Sequence, residues 1–190
     1  MEELDHFISG RELYVESFLK RKETSIVELR NLSENWKKYF YRIADQSDSD
    51  IAKFLDNDFD YVEGCICIWS YGREVMSFRH WDLVDQLWVY FIEALGQLFL
   101  SNEMKSEFYF PDQPLKVSLE KREKNQIILT VDDEGSWVLS QKLIGNSFLP
   151  VGITFLDRLS YAMNTKRYEE YIDSAKRMSN LLENCLPNKK

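Results

Sequence analysis

The chain has 190 residues, 44% hydrophobic and 14% aromatic; a single domain of that size buries roughly 70% of its unfolded surface, which excludes intrinsic disorder. The formal net charge of −8 disfavours direct binding to nucleic acid or an anionic membrane, since either requires concentrated positive charge. Cys65, Cys67 and Cys185 form no disulfide framework, and MEELDHFISGREL lacks a basic stretch followed by an apolar run, so a reducing, cytoplasmic setting is expected.

The first sixty residues read as helices. Leu13, Tyr14, Phe18 and Leu19 fall at helical spacing between Arg11 and Lys22. Ser25 and Glu28 have the spacing of a capping box, opening a longer helix marked by Ile26, Leu29, Leu32, Trp36, Tyr39, Phe40 and Ile43. The SDSD run at 47–50 breaks that pattern and can cap a short helix over Ile51–Leu55. From Tyr61 the period changes. Cys65-Ile66-Cys67-Ile68-Trp69 is apolar on both faces, as an interior strand would be. Tyr71-Gly72 is a hairpin turn, and Val75–Phe78 the returning strand.

Trp81–Leu100 is the most apolar stretch of the chain, with its polar residues Asp82, Asp85, Gln86, Glu93 and Gln97 gathered in a narrow stripe. Such a helix must be covered on most of its circumference. It is expected to be the central core helix, with Asp82 and Asp85 in a solvated strip. Its carboxylates argue against a membrane span.

Phe108-Tyr109-Phe110 leads to Pro111-Asp112-Gln113-Pro114, where proline followed by aspartate fits the centre of a type I turn. A meander follows over Leu115–Leu119, Ile127–Val131 and Trp137–Leu143. Pro150 opens a further helix and Thr165 caps the last one, which Pro187 ends. The expectation is one α+β domain over residues 1–190: N-terminal helices, an antiparallel sheet of about five strands packed on a central core helix, and C-terminal helices.

Catalytic and metal motifs are poorly represented. Asp56-Asn57-Asp58-Phe59-Asp60 starts like a calcium loop, but Tyr61 stands where glycine is needed and Cys67 where the bidentate glutamate belongs. Cys65, Cys67 and His80 have poor chelate spacing for zinc. Arg73 and His80 match a ribonuclease-like spacing, but on a strand they would not share a face. No nucleophile elbow or phosphate loop is present. No metal or cofactor is expected.

Charge placement is more telling. Between Asp45 and Glu63 lie seven acids (Asp45, Asp48, Asp50, Asp56, Asp58, Asp60, Glu63) and one base, Lys53. Asp132-Asp133-Glu134 forms a second cluster at a hairpin tip. Such surfaces attract basic partners and raise association rates. The candidate partner-binding residues are therefore Asp48, Asp50, Asp56, Asp58, Asp60, Tyr61, Glu63, Asp132, Asp133 and Glu134, with Phe59, Tyr61 and Trp69 as possible aromatic anchors.

A hairpin ending at Arg79, the helix start Trp81-Asp82-Leu83-Val84-Asp85-Gln86-Leu87-Trp88, the Phe110–Pro114 bend and a strand meander occur here in one order. Over about residues 61–163 this order resembles bacterial immunity proteins of polymorphic-toxin and contact-dependent growth inhibition systems. The resemblance implies a small cytoplasmic, non-catalytic protein. Such a protein binds a cognate toxin domain, often a nuclease, and blocks its active site. Two alternatives stand beside it: a small hydrolase using Asp82, Asp85 or His80, and an adaptor with no toxin partner.

Overall fold

The computed structural model describes residues 8–27, 31–55, 62–132 and 134–184. The fold is mixed α+β with two antiparallel sheets. Elements run β1 (Leu13–Lys20), α1 (Trp36–Tyr39), β2 (Phe40–Arg42), α2 (Asp48–Leu55), β3 (Glu63–Ser70), β4 (Arg73–Met76), β5 (Asp82–Leu83) and α3 (Val84–Phe99). Then come β6 (Lys105–Tyr109), β7 (Lys116–Arg122), β8 (Gln126–Val131), β9 (Gly135–Ser140), α4 (Leu149–Ala162) and α5 (Glu169–Asn184). A π-helical turn, Ile144–Phe148, leads into α4.

Of the N-terminal helices expected from the sequence, only the short one at Ile51–Leu55 forms, as α2. Leu13–Lys20 is a strand, paired on one side with β3 (Leu13 opposite Ser70) and on the other with β2 (Phe18 opposite Arg42). Burial on both faces removes the alternation that marks a half-buried strand, leaving apolar positions that also satisfy a helical period. Ser25 lies in non-helical chain, Glu28 falls outside the described residues, and the expected long helix shrinks to the single turn α1. Tertiary packing decides this. Leu32, Trp36 and Phe40 are buried against β1 and β3, and Trp36 stacks on Phe78 with ring centroids 5.7 Å apart.

The first sheet has the order β2-β1-β3-β4, with β5 also paired to β3. Its two faces meet different partners. Cys65, Cys67 and Trp69 join Tyr14, Phe18, Trp36, Phe40 and Phe78 on one side, while Ile66 and Ile68 join the main core on the other. Interior placement of β3 matches the reading of its two-sided apolar run. Tyr71 and Gly72 both take positive φ, 50° and 75°, as a two-residue hairpin with the favoured twist requires.

The meander residues form a separate second sheet, β6-β7-β8-β9, in place of one sheet of about five strands. Val117, Leu119, Ile127, Leu129, Val131 and Leu139 point from it into the main core beside Leu87, Trp88, Phe91 and Leu95 of α3. The helix α3 thus packs against both sheets and against α4 and α5. It begins at Val84, three residues later than its sequence pattern suggested, because Asp82–Leu83 pairs with Glu63–Gly64. Only the far half of its polar stripe faces water: Glu93 and Gln97 are exposed, whereas Asp82 and Asp85 are buried.

Candidate functional site

Among the described residues, each acid singled out between Asp45 and Glu63 is answered by a base. Asp45 pairs with Arg42 (3.1 Å), Asp48 with Arg158 (2.8 Å), Asp50 with Lys53 (3.0 Å) and Glu63 with Lys20 (2.6 Å). Asp48 and Asp50 stand in the first turn of α2, where its positive end favours them. Ser47 and Lys53 hold the Asp50 carboxyl below its usual range. Asp56, Asp58, Asp60, Tyr61 and Asp133 lie outside the described residues, as does the Phe59 anchor. Asp132 is exposed at the end of β8, and Trp69 is buried.

Glu134 is drawn inward. It accepts from Arg79 at 2.5 Å and stands 3.3 Å from His80 Nε2. The other ring nitrogen, Nδ1, accepts the Ser77 backbone N–H at 2.9 Å, so the neutral ring carries its proton on Nε2 and donates to Glu134. Burial and the neighbouring Arg79 push the His80 pKa down. His80 is a positioned structural imidazole with both nitrogens committed.

Asp82 and the Pro111–Pro114 bend, remote in sequence, close on each other. The Asp82 carboxylate accepts the backbone N–H groups of Leu83 (2.7 Å), Asp112 (3.1 Å) and Gln113 (3.1 Å). In return the Gln113 side-chain amide donates to the Trp81 carbonyl. The bend supplies two adjacent donors because its backbone turns there, and Asp82 reaches them from the short strand before α3. Burial raises the Asp82 pKa while these donors oppose the shift. With its oxygens engaged by main chain, Asp82 has little capacity to act as a base.

Asp85 is 2% exposed, and its Oδ2 accepts the hydroxyl of Tyr168, in the turn just before α5, at 2.7 Å. Among the described residues its Oδ1 has no hydrogen-bond partner, and burial raises its pKa. The pair Asp82 and Asp85 is therefore not the solvated strip expected from the sequence. Nor do the two share a hydrogen bond.

Beside the clasp lies a groove of about 510 Å³ lined by Ile26, Val27, Glu63, Arg79, Trp81, Asp82, Leu83, Asp112 and Gln113. It brings together residues from the first acidic stretch (Glu63), the helix start and the bend. Through Arg79 it also adjoins Glu134 of the second cluster. Sequence spacing gave no hint of this meeting, although Trp81-Asp82 and the Asp112-Gln113 bend were each visible as motifs. Among the described residues no group of three His, Cys, Asp or Glu could hold a metal ion. None of their helices is long and apolar enough to cross a membrane.

Comparison with known protein families, with curated proteins and with solved structures returns no match for this chain.

Proposed function

We propose that this chain is an immunity protein that binds and neutralises a cognate toxin domain, a basic nuclease-type domain, through an acidic surface. One observation carries the reading. Glu63 and Glu134, one from each acidic cluster, come to the neighbourhood of a single groove, next to the clasp between the two motifs that carry the resemblance. A toxin acting on nucleic acid needs a positive active-site groove, which an anionic surface can occupy. The Trp81-Asp82 and Phe110–Pro114 motifs serve here as main-chain architecture, which supports a binding role over a chemical one.

The test is co-purification with the domain encoded directly upstream. A stable complex is expected, with an association rate that falls as salt is raised. Failure to form a complex overturns the partner. A rate that stays flat from low to high ionic strength overturns the charge-steered mechanism.

A hydrolase reading has one observation in its favour: Asp82 is buried, has a raised pKa and lines a groove. Against it stand the three main-chain donors on that carboxylate and the committed nitrogens of His80.

A further inference from the structure

We propose that the groove beside Trp81 is a socket for one lysine or arginine side chain presented by a protein partner. The proposal rests on the protein-binding reading above and gives that reading its point of contact.

Charge complementarity is the first argument. Glu63, Asp82 and Asp112 line the groove from three separate segments, and Glu74 and Glu134 stand behind its Arg79 at 3.4 and 2.5 Å. Among the described residues five carboxylates thus stand around the groove against the two cations Lys20 and Arg79, with burial keeping His80 neutral. Lys20 is held by Glu63, and Arg79 by Glu74 and Glu134. Asp112 is exposed, and among the described residues its carboxylate enters no ion pair. The groove therefore has an anionic wall with one carboxylate still open to a visiting cation.

The apolar walls are the second argument. Ile26, Val27, Trp81 and Leu83 flank the acids, and Val27 is 90% exposed. A long basic side chain buries its methylene stem against such a wall while its head meets carboxylates. The Trp81 indole already has a cation near it, the Lys20 ammonium at 5.1 Å from the ring centroid. An acidic or purely apolar side chain would leave Asp112 unanswered.

The experiment titrates the ¹⁵N-labelled protein with the capped tripeptide Gly-Arg-Gly and with its citrulline counterpart, which keeps the shape and loses the charge. Saturable shifts are expected at the Trp81 indole N–H and at the Asp112 and Gln113 amides with arginine, and none with citrulline. Asp112→Asn retains the backbone N–H that Asp82 needs and should weaken the arginine peptide about threefold, the scale of a partly exposed ion pair.

Equal response to citrulline overturns the socket. So does an unchanged affinity in Asp112→Asn, or shifts centred on Asp45, Asp48 and Asp50. The two levels of the reading fail separately. Arginine peptide in the groove with no protein captured sinks the toxin partner alone. A captured toxin domain indifferent to Asp112→Asn, with no peptide in the groove, sinks the socket alone.

Discussion

The carboxylate of Asp82 accepts the main-chain N–H of Gln113 at 3.1 Å, and the side chain of Gln113 donates back to the carbonyl of Trp81, next to Asp82. Each residue holds the other's backbone. The start of α3 and the bend after β6 are fixed together, and with them the floor of the groove. Removing the carboxylate strands the N–H groups of Leu83, Asp112 and Gln113. Asp82→Ala is expected to cost about 2–3 kcal/mol, from the loss of both acceptor oxygens in a buried site. Asp82→Asn, which keeps one acceptor oxygen, should cost less. Urea denaturation of both variants checks the order, and an Asp82→Ala protein as stable as the parent would remove the clasp from the account.

The pair Asp85–Tyr168 makes a prediction with a pH signature. Burial sets the folded-state pKa of Asp85 above its unfolded value. The folded form then takes up a proton first as pH falls, so this group's contribution to stability grows as pH drops through that raised value. It is least favourable at neutral pH. Asp85→Asn keeps an acceptor for Tyr168 and abolishes the slope. The parent should therefore gain stability relative to Asp85→Asn as pH is lowered from 7 towards the ordinary carboxylate range. Tyr168→Phe removes the partner of a buried charge and should cost about 2 kcal/mol at pH 7, but clearly less in the Asp85→Asn background. Denaturation curves for the four proteins at several pH values form the cycle.

These two aspartates also show where sequence reading reaches its limit. The apolar character of Trp81–Leu100 was enough to announce a covered helix, and Cys65–Trp69 an interior strand. The hairpin at Tyr71-Gly72 and the three meander strands were equally legible, because turn chemistry and hydrophobic runs are local. Asp82 and Asp85 were not, since a polar stripe reads the same whether water or a distant Tyr168 hydroxyl meets it. β1 is hidden in the sequence for a related reason. Its polar Glu16 and Ser17 face inward to Arg42 and to the Trp88 indole, so no exposed face marked it as a strand. The groove was illegible altogether. It is assembled from segments that only tertiary packing joins.

The ion pair between Glu16 and Arg42 gives a third prediction. Arg42 Nε donates to Glu16 Oε2 at 2.8 Å, and the two side chains are 15% and 12% exposed. Glu16 Oε1 also accepts the backbone N–H of Ser17. The pair ties β1 to β2 at the edge of the sheet. Glu16→Ala leaves the guanidinium largely buried without this partner and is expected to cost about 3 kcal/mol. Replacing both residues, Glu16→Leu with Arg42→Met, should recover much of that loss. Thermal and urea unfolding of the single and double variants read the difference, and a double variant worse than Glu16→Ala would contradict it.

Gly152 provides the most sharply steric test. A methyl at this position would stand 2.6 Å from the six-membered ring of Trp88, a distance that real side chains do not reach. The indole cannot easily yield. It is fully buried, its Nε1 donates to Ser17 at 3.0 Å, and Phe148 packs on it with ring centroids 5.0 Å apart. α4 can therefore approach α3 this closely only because residue 152 has no side chain. Gly152→Ala gains helix propensity worth about 1 kcal/mol, yet overpacking of a core contact costs about 1–3 kcal/mol. Destabilisation is expected to win, accompanied by a changed tryptophan fluorescence. Trp88→Phe in the same background should relieve the clash and restore part of the loss. If Gly152→Ala raised stability instead, α4 and α3 would have to sit farther apart than described.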